Sequence, residues 1–162
     1  MALVCASSFD YILSEILYLD SSMTSSSMNK NKKPGRLIDN VGFDVGYRLS
    51  ESIASNIIRP VGIDPLDIVK FICKDIWTYI FDKKIDKLQT NHRGVFVLSD
   101  NEFKWLKQYI EDDDDNVEAA ERLMRFPCAL IRGALANLGL NSIVTVDLST
   151  HPSVSFSIKI KL

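Results

Sequence analysis

The chain has 162 residues, 46% of them apolar and 25% charged, a length and balance that favour one globular domain with a real core. Its formal net charge of −2, without any lysine/arginine stripe, argues against nucleic acid as a partner. Three widely separated cysteines (Cys5, Cys73 and Cys128) argue against a disulfide framework and fit a reducing cytosol, and no run of about 18 uncharged apolar residues offers a membrane span.

Phe9, Ile12, Leu13, Ile16 and Leu17 repeat at i, i+3, i+4, i+7 and i+8, the spacing of one helical face, with Ser7 as N-cap and Asp10 favoured in the first turn. The first six residues lack the basic start of a signal peptide. From Ser21 to Gly35 the sequence is rich in serine, asparagine and lysine and has no period. Such a segment cannot bury enough apolar area to order itself, so it is expected to be a flexible linker.

A second helix is predicted over about Arg36 to Ser55, where Val41, Val45, Leu49 and Ile53 step by four and Gly42 and Gly46 lie alongside. Glycine in a helix interior costs about 1 kcal/mol relative to alanine. A pair four apart is explained by close approach of another backbone; the plainer account is that one of them marks a frayed end. Asp64-Pro65 supplies an N-cap and a proline at the first position of a third helix. Leu66, Val69, Ile72, Cys73, Ile76, Trp77, Ile80 and Phe81 give that helix a wide apolar face.

Beyond Phe81 the period changes to two. Lys87–Thr90, the turn Asn91-His92-Arg93-Gly94 and Val95–Leu98 read as a hairpin, with Gly94 free to take positive φ. Phe103, Trp105, Leu106, Tyr109 and Ile110 are irregularly spaced and fit a loop, a short helix or a bent strand. Self-repulsion places Glu111 to Asp115 at the surface. A fourth helix is predicted from Val117 to Leu138, closed by Gly139 and kinked at Pro127. Two strands follow, Asn141–Leu148 and the strictly alternating Val154, Phe156, Ile158, Ile160 and Leu162. The expected class is α+β, a single domain with helices on one face of an antiparallel sheet.

No constellation of residues promises a reaction. His92 and His151 fall in turns without further ligands at zinc spacing, and Cys73 and Cys128 lie on apolar helix faces, where a thiol is inert. The acidic run lacks the alternation of a calcium loop, and no phosphate-binding glycine loop follows a strand. Catalytic, cofactor-binding and metal-binding residues are therefore expected to be none. What the chain has is surplus apolar helix surface, which either its own core or another chain must cover.

Several blocks resemble a known family. Val41-Gly42-Phe43-Asp44-Val45-Gly46-Tyr47-Arg48-Leu49 resembles the G-x-x-x-G-x-R-L helix of the small subunits of the transport protein particle, TRAPP. Leu66 to Trp77 and Asp86 to Gly94 resemble the subunit-six form, and Cys128-Ala129-Leu130-Ile131-Arg132-Gly133-Ala134-Leu135 is similar to its late helix. The resemblance runs in order from Val41 to Leu162 and implies helices on a twisted antiparallel sheet. It also implies a non-catalytic scaffold in vesicle tethering between the endoplasmic reticulum and the Golgi, within a complex that exchanges nucleotide on a Rab-type GTPase. In that family the subunit-six type pairs with the subunit-three type through its first two helices, here Phe9, Ile12, Leu13, Ile16, Leu17, Val41, Gly42, Val45, Gly46 and Leu49. The family's acylated cysteine has no counterpart in Ile57-Ile58-Arg59-Pro60-Val61-Gly62. A lipid- or acyl-chain-binding module with an apolar cavity is the alternative reading.

Overall fold

The alternation at the end of the chain becomes the middle of a sheet. The computed structural model describes Tyr11, Glu15, Tyr18 and residues 36–56, 64–91, 93–106, 117–149 and 153–161. Its strands are β1 (Lys87–Thr90), β2 (Val95–Asp100), β3 (Ser142–Asp147) and β4 (Val154–Ile160), all antiparallel in the order β1-β2-β4-β3. Val154, Phe156, Ile158 and Ile160 are buried, and Leu98 lies opposite Phe156 on β2. The period-two pattern thus puts one row of apolar side chains against the helices.

The helices are α1 (Arg36–Asn56), α2 and α3 (Val117–Asn137). Helix α2 starts as Pro65–Phe71, passes through a π-helical Ile72–Ile76 and ends as Trp77–Phe81. The start falls where Asp64-Pro65 predicts it, but Asp64 caps with its backbone. Its carbonyl accepts from the N–H groups of Asp67 (2.9 Å) and Ile68 (3.1 Å), and its side chain makes no cap bond. The π turn was not expected from an even 3.6 period. It frees the Cys73 carbonyl from the regular ladder, and that oxygen takes the N–H of Ile85 at 3.0 Å.

The predicted hairpin forms with the expected turn. Gly94 has φ +79°, and the Asn91 side-chain oxygen accepts from the N–H groups of Arg93 (2.9 Å) and Val95 (3.1 Å). Helix α3 runs unbroken through Pro127 and closes at Gly139 (φ +86°). There the Gly139 N–H reaches the Ala136 carbonyl at 3.1 Å and the Leu140 N–H reaches that of Leu135 at 2.8 Å. Those paired bonds satisfy two of the helix's last carbonyls. Of the ambiguous segment, Lys104 to Leu106 are helical, and Phe103, Trp105 and Leu106 are buried.

An aromatic cluster fills the space between α2, α3 and the sheet. Trp77 lies 4.5 Å from Phe81 and 5.4 Å edge-on to Phe156, while Trp105 lies 4.8 Å from Phe81 and 5.9 Å from Phe126 between ring centroids. The indole N–H of Trp77 needs an acceptor, and buried Asp100 provides it at 3.0 Å. Lys83 Nζ reaches Asp100 at 2.6 Å and Asp86 at 3.1 Å, tying the end of α2 to the end of β2.

Asp86 Oδ2 also accepts the Asn101 N–H at 2.8 Å. That bond, opposed by some desolvation and aided by Lys83, lowers the Asp86 pKa. A depressed folded-state pKa contributes stability at higher pH, and the contribution is lost as pH falls through the folded value. Urea midpoints measured against pH below about pH 4 are expected to fall less steeply in Asp86→Asn than in the wild type. Identical acid limbs would remove Asp86 from the account.

Candidate partner interface

Helix α1 has two apolar rows with different fates. Ile38, Gly42, Gly46 and Ser50 are buried against α3. Val41, Val45, Leu49 and Ile53, the neighbouring row, are only half-buried, packed at the margin of the core.

The glycines explain the first row. A Cβ at Gly42 would lie 2.8 Å from the Phe126 carbonyl oxygen and 2.9 Å from the Ala129 Cβ. One at Gly46 would overlap the Leu130 backbone, and one at Gly133 would overlap the Phe43 carbonyl. Backbone lies on backbone where α1 and α3 cross, which only a residue without a side chain permits. The approaching backbone expected from the glycine pair therefore belongs to this chain. Gly42 and Gly46, expected at a partner interface, are occupied internally by Phe126, Ala129 and Leu130 of α3.

Polar contacts secure the same crossing. Arg125 of α3 grips Asp39 of α1 through Nη2–Oδ2 at 2.7 Å and Nε–Oδ1 at 3.3 Å. Both side chains are about a third exposed, so solvent screening leaves the pair a contribution of about 1 kcal/mol or less. Phe43 stacks on Tyr47 at 6.3 Å, and the Arg132 guanidinium sits 5.5 Å from the Phe43 ring centroid.

From the first predicted helix, Tyr11, Glu15 and Tyr18 are helical and exposed, Tyr11 at 77% and Tyr18 at 67%. Their spacing of four and three places them on a single face. Phe9, Ile12, Leu13, Ile16 and Leu17 lie outside the described residues, as do the linker, the acidic run, Cys5, His92 and His151.

The remaining thiols are poorly placed for nucleophilic chemistry. Burial pushes Cys73 up to about 12. Burial does the same to Cys128, also to about 12, with Asp39 adding to the rise and Arg132 opposing it. Both stay protonated at neutral pH, and it is the thiolate that attacks. Among the described residues no group of three or more His, Cys, Asp or Glu could hold a metal ion, and no helix is long and apolar enough to cross a membrane.

Helices packed on one face of a four-stranded antiparallel sheet, with a half-buried apolar row along α1, define an α+β protein. The family model for the transport protein particle (TRAPP) component matches residues 9–161, and the chain belongs to that family. Within it the chain groups with the subunit 6 type. It is 41% identical over 157 residues to trafficking protein particle complex subunit 6b of Danio rerio, covering 94% of this chain and 95% of that one. It is 45% identical over 124 residues to subunit 6B of Homo sapiens, covering 76% and 77%. The fold is shared with a trafficking protein particle complex subunit 3 from Naegleria fowleri, solved covalently bound to palmitic acid. The TM-score is 0.65 at 13% identity, over 94% of this chain and 97% of that one.

Gly46→Ala is expected to force α1 off Leu130 and lower the unfolding free energy by about 3 kcal/mol, read from urea denaturation. An unchanged midpoint would mean that the helices do not cross this closely.

Proposed function

We propose that this chain is a non-catalytic scaffold of the TRAPP vesicle-tethering complex in transport from the endoplasmic reticulum to and through the Golgi. It pairs with a subunit-3-type protein and so supports assembly of the complex that exchanges nucleotide on a Rab-type GTPase. Its place in the cell is cytoplasmic, peripheral on those membranes through the complex. The observation that carries the pairing is the half-covered valine row of α1 in a chain that belongs to a family of complex subunits. The inner row of α1 is held by α3, so the outer row is presented on a rigid support rather than on a loose helix.

The pairing surface comprises Phe9, Ile12, Leu13, Ile16 and Leu17 with Val41, Val45 and Leu49, while Gly42 and Gly46 set the helix beneath it. The Naegleria protein has the same fold and is itself a subunit 3, so the pair would join two similar scaffolds. The palmitic acid is that protein's, and Ile57 to Gly62 of this chain contains no cysteine to carry one. Both thiols described here are held protonated by burial, which favours the non-catalytic reading.

Val45→Arg and Leu13→Asp each bring an unpaired charge into the proposed interface. Each is expected to weaken co-purification with a subunit-3-type partner by roughly a hundredfold in Kd, about 3 kcal/mol, while leaving the chain folded by circular dichroism. Undiminished pull-down by both folded variants would place the interface elsewhere.

A further inference from the structure

A groove opens at the C-terminal end of α3. Phe43 of α1, Arg132 and Ala136 of α3, Asn141 and Ser142 where β3 begins, and Lys161 just past β4 enclose about 530 Å³. Arg132 rests on the Phe43 ring, and among the described residues neither it nor Lys161 has a carboxylate partner. Ser142 is 8% exposed, and its hydroxyl oxygen is buried without a hydrogen-bond partner. A buried hydroxyl left unmatched is costly, so two cations and an unsatisfied hydroxyl in one groove call for an acceptor from outside.

The strand that begins in this groove is open along one side. In the described sheet β3 pairs only with β4. Its residues Ser142–Asp147 contain no proline, lysine or arginine, the usual guards of a free edge. Ile143 is 47% exposed, and Thr145 and Asp147 are exposed as well. We infer that the groove and the free edge of β3 form one docking site for an extended acidic segment of a partner polypeptide. The segment's backbone pairs with β3, and a carboxylate engages Arg132 and Lys161 beside the Ser142 hydroxyl. The open edge decides for a polypeptide: a strand edge reads peptide backbone, which neither a free phosphate nor a lipid surface possesses. An arginine supported on an aromatic ring suits a carboxylate, which its planar fork can meet with two bonds. Phe43 and Val45 are two positions apart on α1 and point to nearly opposite sides, so this site is separate from the proposed helical interface.

The test is a nuclear magnetic resonance titration of the isotope-labelled full chain. The probe is an acetylated, amidated hexapeptide of alternating valine and glutamate. Saturable shifts are expected in the amides of Gly133 and of Ser142 to Asp147. Arg132→Gln and Lys161→Gln should each weaken binding by at least about tenfold. Lys159→Gln removes the same charge from a position outside the groove and should leave binding unchanged. The site is overturned if no saturable shift occurs, or if the same peptide with glutamine for glutamate binds equally well. A loss in Lys159→Gln equal to that in Arg132→Gln overturns it too, by reducing it to general charge. If inorganic phosphate, or vesicles of phosphatidylcholine and phosphatidylserine, reproduce the shifts, the polypeptide assignment is wrong. Pairing with a subunit-3-type protein should persist in Arg132→Gln, so loss of one surface is distinguishable from loss of the other.

Discussion

The contact on which the rest depends is the crossing of α1 and α3, where Gly42, Gly46 and Gly133 let one backbone rest on another. A crossing this close fixes both the depth and the rotation of α1. Ile38 and the glycine row turn inward, and Val41, Val45 and Leu49 are left along the flank. Each helical glycine gives up about 1 kcal/mol relative to alanine. That loss is offset by contact along two long helices, which no larger side chain would allow. The proposed pairing through one face of α1 requires that face to be held in a defined orientation, and this crossing holds it.

The sheet and the aromatic cluster set the other helix of the core. Trp77 is anchored at its nitrogen by Asp100 and at its ring by Phe81, Phe103 and Phe156, so α2 cannot slide along the sheet without losing both kinds of contact. The π turn at Ile72–Ile76 hands one carbonyl to Ile85 and joins α2 to the loop that leads into β1. These features are structural, and they leave the chain's exchange with other molecules to its outer surfaces.

Much of this was legible in residue spacing. The alternation of Val154 to Ile160, the Asn91–Gly94 turn, the Asp64-Pro65 start and the Gly139 stop each correspond to a local rule with one physical solution. The π turn escaped because the N–H that takes up its Cys73 carbonyl belongs to Ile85, outside the helix. The identity of the backbone facing Gly42 and Gly46 escaped for a similar reason: a notch shows that something must approach but not what. At the candidate surfaces, the stepping of Val41, Val45 and Leu49 was visible. The meeting of Arg132, Phe43, Ser142 and Lys161 was not, since it depends on how α1, α3 and the sheet are stacked.

Whether the outer face of α1 is covered by another subunit is read by sedimentation equilibrium on this chain co-expressed with a subunit-3-type protein. A single species with the summed mass of one copy of each chain, stable on dilution, is expected. Two independent species at their separate masses, with this chain folded and monomeric, would contradict the proposed pairing.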